Sequence, residues 1–174
     1  MLTLFKGIRF LALVSGFSLT SAQAVFAGEA AGLLAGAETY SLTVSVFTEA
    51  GCDIDQQAAK ARAASLFGRA PKLRAVAEQS IPDIMLRVTV DVAALPPGAP
   101  APEFCMYVVN ARAIHPMYGK LRYADKPRAI QALTFNKSVY SVIVPSKAQE
   151  AVETQIAKAL GFFFDEYQAG NPYP

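Results

Sequence analysis

The chain has a single histidine, His115, so no two-histidine zinc site can form within it, and neither H-E-x-x-H nor G-x-S-x-G nor S-x-x-K occurs. A Gly-rich phosphate loop is also missing. His115 stands before Pro116 at the end of a strand-like run, with no partner assignable by spacing, which suits a surface or edge residue better than a general base. Asp53 and Asp55 form a D-x-D pair. Two carboxylates fall short of the roughly six to eight oxygens that calcium takes, and Asp53 is placed to cap a helix with Gln56 as its reciprocal partner. Asn136-Lys137-Ser138 matches a glycosylation sequon but lies in a predicted strand and is read as chance. No metal and no cofactor are expected.

The stretch Tyr118 to Arg128 offers the best functional chemistry. Lys120, Arg122, Lys126 and Arg128 are interleaved with Tyr118 and Tyr123, and Asp125 is its one acid. Cations beside aromatic rings suit anionic or glycan-like ligands, whereas a solvated loop with its tyrosines packed on a sheet is the plainer alternative. A second candidate is the run that begins at Phe104. Phe104, Met106 and Val108 occupy one phase of the alternation and Cys105, Tyr107 and Val109 the other, so both faces are apolar. Either the outer face is covered by the long loop or the N-terminal segment, or an open sheet face binds a partner.

Cys52 and Cys105 are the two cysteines, a paired count that in an exported protein signals a disulfide. Export is indicated by Lys6 and Arg9, the uncharged apolar run Phe10 to Leu19, and small residues at Ala22-Gln23-Ala24 and Val25-Phe26-Ala27. Residues 1–27 are thus expected to be a cleaved signal peptide, since the apolar run is about half the ~20 residues that a spanning helix needs. No transmembrane anchor is expected after cleavage. Without Lys6 and Arg9 the 16 basic residues fall to 14, matching the 14 acidic ones. That balance argues against a protein held on nucleic acid by clustered Lys and Arg.

These residues need a scaffold. Residues 28–39 are small and Gly-rich, expected as a flexible lead-in, and residues 40–174 as one domain. Tyr40 to Val46 alternates as a first strand, Ala58 to Phe67 reads as a helix, and Ile84 to Val92 alternates again up to a proline-rich turn. Further strands are expected from Phe104 to Ile114, stopping at His115-Pro116, and from Thr134 to Val144. Ser146 and Gln149 suggest a capping box before a closing helix that buries Val152, Ile156, Ala159, Leu160 and Phe163. Gly161 inside that helix suggests close approach of the sheet backbone. The expected fold is α+β: a two-layer sandwich in the order β-α-β-β-β-α, with a four-stranded mixed sheet and two helices on one face. Both cysteines then fall at the same end of the sheet.

The Cys pair and the ending Phe164-Asp165-Glu166-Tyr167-Gln168-Ala169-Gly170-Asn171-Pro172, an aromatic-x-x-Tyr-x-x-x-Asn-Pro pattern, resemble small uncharacterised exported proteins of proteobacteria. The resemblance implies a periplasmic compartment and assigns no activity or functional residue. The expected function is a non-enzymatic periplasmic binding or assembly protein for a cell-envelope partner, either a protein or an anionic envelope component. The alternative is a hydrolase or transferase acting on an envelope glycan or lipid through His115 or loop carboxylates.

Overall fold

Two-residue alternation, carried on a computed structural model that describes residues 32–76, 80–119 and 126–172, builds the sheet. Its strands are β1 (Thr39–Thr48), β2 (Arg74–Ala75), β3 (Ile84–Leu95), β4 (Phe104–Gly119) and β5 (Arg128–Ile143), in the spatial order β2-β1-β3-β4-β5. β1 runs parallel to β2 and β3, while β4 pairs antiparallel with both β3 and β5. The sheet is therefore mixed and has five strands where four were expected. The extra one is two residues long, too short to leave a period, and exists because Arg74 and Val76 donate to the Glu38 and Tyr40 carbonyls at the β1 edge.

Ile84, Leu86, Val88, Val90, Val92 and Ala94 of β3 all point into one core, with Cys105, Tyr107, Val109, Ala111 and Ala113 of β4 beside them. The helices α1 (Gln56–Ser65) and α2 (Ala148–Gly170) contribute their buried residues to that same core. α1 buries only Ala59 and Ala63, one turn apart, so its backbone lies close to the layer beneath. Past its end Phe67 stacks on Tyr40 with ring centroids 3.8 Å apart. α2 buries the wider stripe Ala148, Val152, Ile156, Ala159, Leu160, Phe163, Phe164 and Tyr167.

Several expected boundaries shift for identifiable reasons. Asp55, not Asp53, caps α1: its Oδ1 accepts from the amides of Gln57 and Ala58 at 2.7 and 3.2 Å. The Ser146 and Gln149 box does not form, because Pro145–Lys147 makes a tight 3-10 turn and the residue capping α2 is Lys147, without a side-chain bond. Gln149 Oε1 instead accepts from the Asp55 amide at 2.9 Å and ties the two helix starts together. β4 runs through His115-Pro116 to Gly119. Its β3 partner ends at Met85 opposite Ile114, so beyond that point β4 has a free edge where a proline is tolerated. β4 and β5 thus extend past β3 as a two-stranded arm, with a bulge at Ala113/Ile114 where Thr134 donates to the Ala113 carbonyl.

The expected flexible lead-in is part of the fold from Gly32 onward. Leu34 is fully buried, Asn171 Nδ2 donates to the Leu34 carbonyl, Gly36 donates to Asn171 Oδ1, and the Tyr167 hydroxyl donates to the Ala37 carbonyl. Gly161 also departs from expectation: a methyl group there would meet only Arg69 Nη1, at 3.5 Å, and no sheet backbone. Among the described residues no helix is long and apolar enough to cross a membrane.

Candidate functional site

Helices cover one face of the sheet, and the opposite face is the surface on which unexplained side chains gather. Its residues are the alternate positions of β1, β3, β4 and β5, arranged in rows by the register. One row aligns Phe47, Asp91, Val108 and Tyr140; the next toward the strand ends aligns Ala93, Met106 and Val142; a third pairs Leu95 with Phe104. Phe47 is 60% exposed, Tyr140 79%, Val142 50%, Phe104 44% and Met106 40%. Large apolar side chains scattered singly are ordinary, but here Phe104, Met106, Tyr140 and Val142 are neighbours on β4 and β5, and Phe47 stands across β3 from them, beyond Asp91 and Ala93. Phe47, Met106, Val108 and Asp91 line a shallow depression with Glu49 at its rim, where the Glu49 carboxylate is fixed by the Ala94 amide at 2.9 Å.

Toward the other end the face turns polar. Ser45, Thr89, Asn110 and Ser138 form the following row, with the Ser138 hydroxyl donating to Asn110 Oδ1, and Thr43, Arg87, Arg112 and Asn136 the one after. The surface therefore has an apolar end above the disulfide and a cationic middle.

The predicted site residues distribute as follows. Cys52 and Cys105 are bonded and buried, with Cα atoms 5.8 Å apart at the end of the sheet that carries the apolar patch. Tyr118 stands in β4 opposite Ala129, and Arg128 opens β5 opposite Gly119. Arg128 and Lys126 are exposed, while Lys120, Arg122 and Tyr123 lie outside the described residues. The long connection expected from Tyr118 to Arg128 is shorter than it reads, since both of its ends belong to the arm.

His115 is half-buried opposite Ala132, and its Nδ1 has no hydrogen-bond partner. The carboxylate it influences is Asp83, whose pKa is held low chiefly by the Thr39 hydroxyl, then by the Glu38 amide, with His115 the weakest contribution. Asp83 Oδ2 accepts from the Thr39 hydroxyl and the Thr39 and Glu38 amides at 2.7, 2.9 and 3.0 Å, and its own amide donates to Thr39 Oγ1. This carboxylate joins the starts of β1 and β3. Neither the depression on the open face nor a second one, lined by Glu38, Lys72, Arg74, Tyr167 and Asn171 among others, includes His115 or Asp83. No group of three metal-ligating side chains occurs among the described residues, and Asp53 and Asp55 are exposed.

Sequence reading reached Phe104, Met106 and Val108 but missed Phe47, Tyr140 and Val142. Their signal is present: each is an apolar residue in the otherwise polar phase of its strand, after Ser41, Thr43 and Ser45 in β1 and after Asn136 and Ser138 in β5. Only the register shows that these end positions meet.

No family model matches the chain, and no curated protein does. A solved crystal structure described as that of an uncharacterized protein is similar to it, at 12% identity over 77% of this chain and 97% of that one, with a TM-score of 0.30. A likeness that slight carries no argument about fold or function.

Proposed function

We propose that this protein is a non-enzymatic binding or assembly protein of the periplasm that docks a cell-envelope partner on the open face of its sheet. One observation carries the reading: Phe47, Phe104, Met106, Tyr140 and Val142 are exposed together, on strands whose opposite face is the core. Contiguous exposed apolar surface rimmed by polar residues is the mark of an interaction site. Export is supported by the basic and apolar start of the chain and by the Cys52–Cys105 bond, a linkage that persists in oxidising compartments. The basic and aromatic stretch between β4 and β5 offers a further contact for an anionic envelope component. A hydrolase or transferase would need His115 beside a free carboxylate in a cleft, and Asp83 is already engaged by three donors.

Site-specific photo-crosslinking in intact cells tests this. With benzoylphenylalanine at Tyr140 or Met106, discrete adducts are expected, and none from the exposed α2 position Thr154. Equal labelling from all three positions, or none from Tyr140 and Met106, removes the open face as a docking surface. Recovery of the protein from cells with residues 1–27 still attached, or from the cytoplasm alone, removes the periplasmic assignment.

A further inference from the structure

Below the apolar end of the open face, Arg87 and Arg112 are directly opposite each other on β3 and β4, and both are exposed. Like charges placed directly opposite destabilise a sheet. No carboxylate relieves them: their row is completed by Thr43 and Asn136, and the next row is all hydroxyl and amide. Asp91, the acid on this face, lies four residues along β3 from Arg87, about 13 Å away at the rise of a strand. Neither arginine takes part in an ion pair among the described residues. Two exposed guanidinium forks thus stand side by side, with neutral hydrogen-bonding groups in the row toward the patch and Ser41, Met85, Ile114 and Leu133 in the row beyond, on the same face as Phe47, Met106 and Tyr140.

We propose that Arg87 and Arg112 together hold a carboxylate of a partner protein, whose neighbouring apolar side chains seat on the Phe47, Met106 and Tyr140 patch. The inference rests on the open face being the docking surface and gives its partner a chemistry: an Asp or Glu side chain about 13 to 20 Å from its apolar anchors. Planar guanidinium groups match a carboxylate with paired hydrogen bonds, and the bound anion relieves the repulsion between them. The composition of the face points to a protein. Aromatic residues, Met and Arg are enriched at protein interfaces and Lys is depleted, and the rows from Leu95 to Arg87 hold Phe, Tyr, Met and Arg without a lysine. A membrane surface is instead held by clusters of about four to eight basic residues. A second copy with its strands aligned and the whole face in contact fits poorly too: a two-fold axis along the strands sets Arg87 against Arg112, and one across them sets apolar rows against polar ones.

The full chain, purified with its disulfide intact, is panned against a phage library of short random peptides. Enriched peptides are then titrated by fluorescence anisotropy into the parent, an Arg87→Gln/Arg112→Gln protein and a Met106→Ser/Tyr140→Ser protein, each checked for cooperative unfolding. Expected are peptides with Asp or Glu among large apolar residues, binding the arginine variant about ten- to a hundredfold more weakly and the parent less well as salt rises. Because the change removes a repulsion, the arginine variant unfolds at a denaturant concentration no lower than the parent's. Peptides that bind the parent and the arginine variant alike overturn the carboxylate site, while the docking reading survives if the Met106 and Tyr140 changes abolish binding. Peptides indifferent to both sets of changes, or no enrichment, overturn both. Sedimentation with phosphatidylglycerol vesicles that is lost in the arginine variant overturns the protein partner in favour of lipid, and a dimer in sedimentation equilibrium that the arginine changes dissociate overturns it in favour of a second copy.

Discussion

At the scale of single residues, Asp83 and Glu166 pull stability in opposite directions with pH. Asp83 is held below the usual carboxylate range, first by the Thr39 hydroxyl and then by the Glu38 amide. Its contribution is therefore present in full above the ordinary carboxylate range and is lost as pH falls through the depressed folded value. Glu166 on α2 is pushed up by burial, only partly offset by Lys137, and its Oε2 has no partner. Its neutral form is the favoured one, so its contribution is full at acidic pH and is lost as pH rises through the raised folded value. Denaturation followed across pH should separate the two. Asp83→Asn is expected to lower stability at neutral pH by about 1 to 3 kcal/mol and to lose part of the acid sensitivity of the parent. Glu166→Gln is expected to gain stability at neutral pH and nothing in acid. An Asp83→Asn protein as stable as the parent at neutral pH would show that the carboxylate does not join β1 to β3. His115, the residue that first invites a catalytic reading, makes the weakest of the contributions that lower the Asp83 pKa.

Among the elements, α2 was the most legible, because eight buried positions repeat at helical spacing and no local signal competes with them. Leu160 and Phe163 are fully buried, so truncating either to Ala should cost ~2 to 5 kcal/mol. Helix starts were not legible. Either Asp53 or Asp55 could cap, and Asp53 has the better pattern with Gln56 three residues on where Asp55 has Ala58; the choice depends on where the Cys52 bond and the Gln149 side chain hold the chain. Gly161 was misread for a related reason. A glycine inside a helix is equally compatible with a tight approach and with an empty groove, and the space above it decides. That space holds only the side chain of Arg69, half exposed and at 3.5 Å an ordinary van der Waals contact. Gly161→Ala is therefore expected to stabilise the protein by about 1 kcal/mol through helix propensity. Urea denaturation checks it, and a lower midpoint would mean that Arg69 is pinned by its ion pair with Asp165 at 3.4 Å and its position over the Phe164 ring at 5.7 Å. The two-residue strand β2 had no period to read. The long edge of β5 carries its own protection instead: Lys137 is an inward-phase charge at the sheet edge, its Nζ 4.6 Å from the Phe162 ring centroid, and the bulge at Thr134 breaks the edge further.

For the whole molecule, the mixed sheet and the cysteine pairing were legible together, because a parallel β1–β3 pair followed by an antiparallel β4 brings Cys52 and Cys105 to one end whatever the details of the loops. The open face was not legible as a unit. Its apolar end is assembled from the last outward positions of β1 and β5 and the first of β4, which run from Phe47 to Val142 in sequence and come to one end only through the register. The disulfide underlies that end. Gly51, at φ 81°, turns β1 toward Cys52, and a side chain there would collide with Pro102 Cδ at 2.4 Å, so the turn after β1 and the turn before β4 are packed together as well as bonded. Closing a separation of 53 residues should stabilise the fold by ~4 kcal/mol through the unfolded chain. A Cys52→Ala/Cys105→Ala protein is accordingly expected to lose about that much in chemical denaturation, a large share of the ~5 to 15 kcal/mol that holds a domain folded. The loss should appear mainly in the unfolding midpoint. Protected amides in β3 should persist in hydrogen exchange, while those of Phe47, Cys105 and Met106 become the first to exchange, because the bond staples the end of the sheet where the apolar patch lies. Unreduced protein from an oxidising compartment that shows two free thiols by mass analysis would overturn the linkage. A double variant as stable as the parent would instead mean that the Gly51–Pro102 packing holds that end by itself.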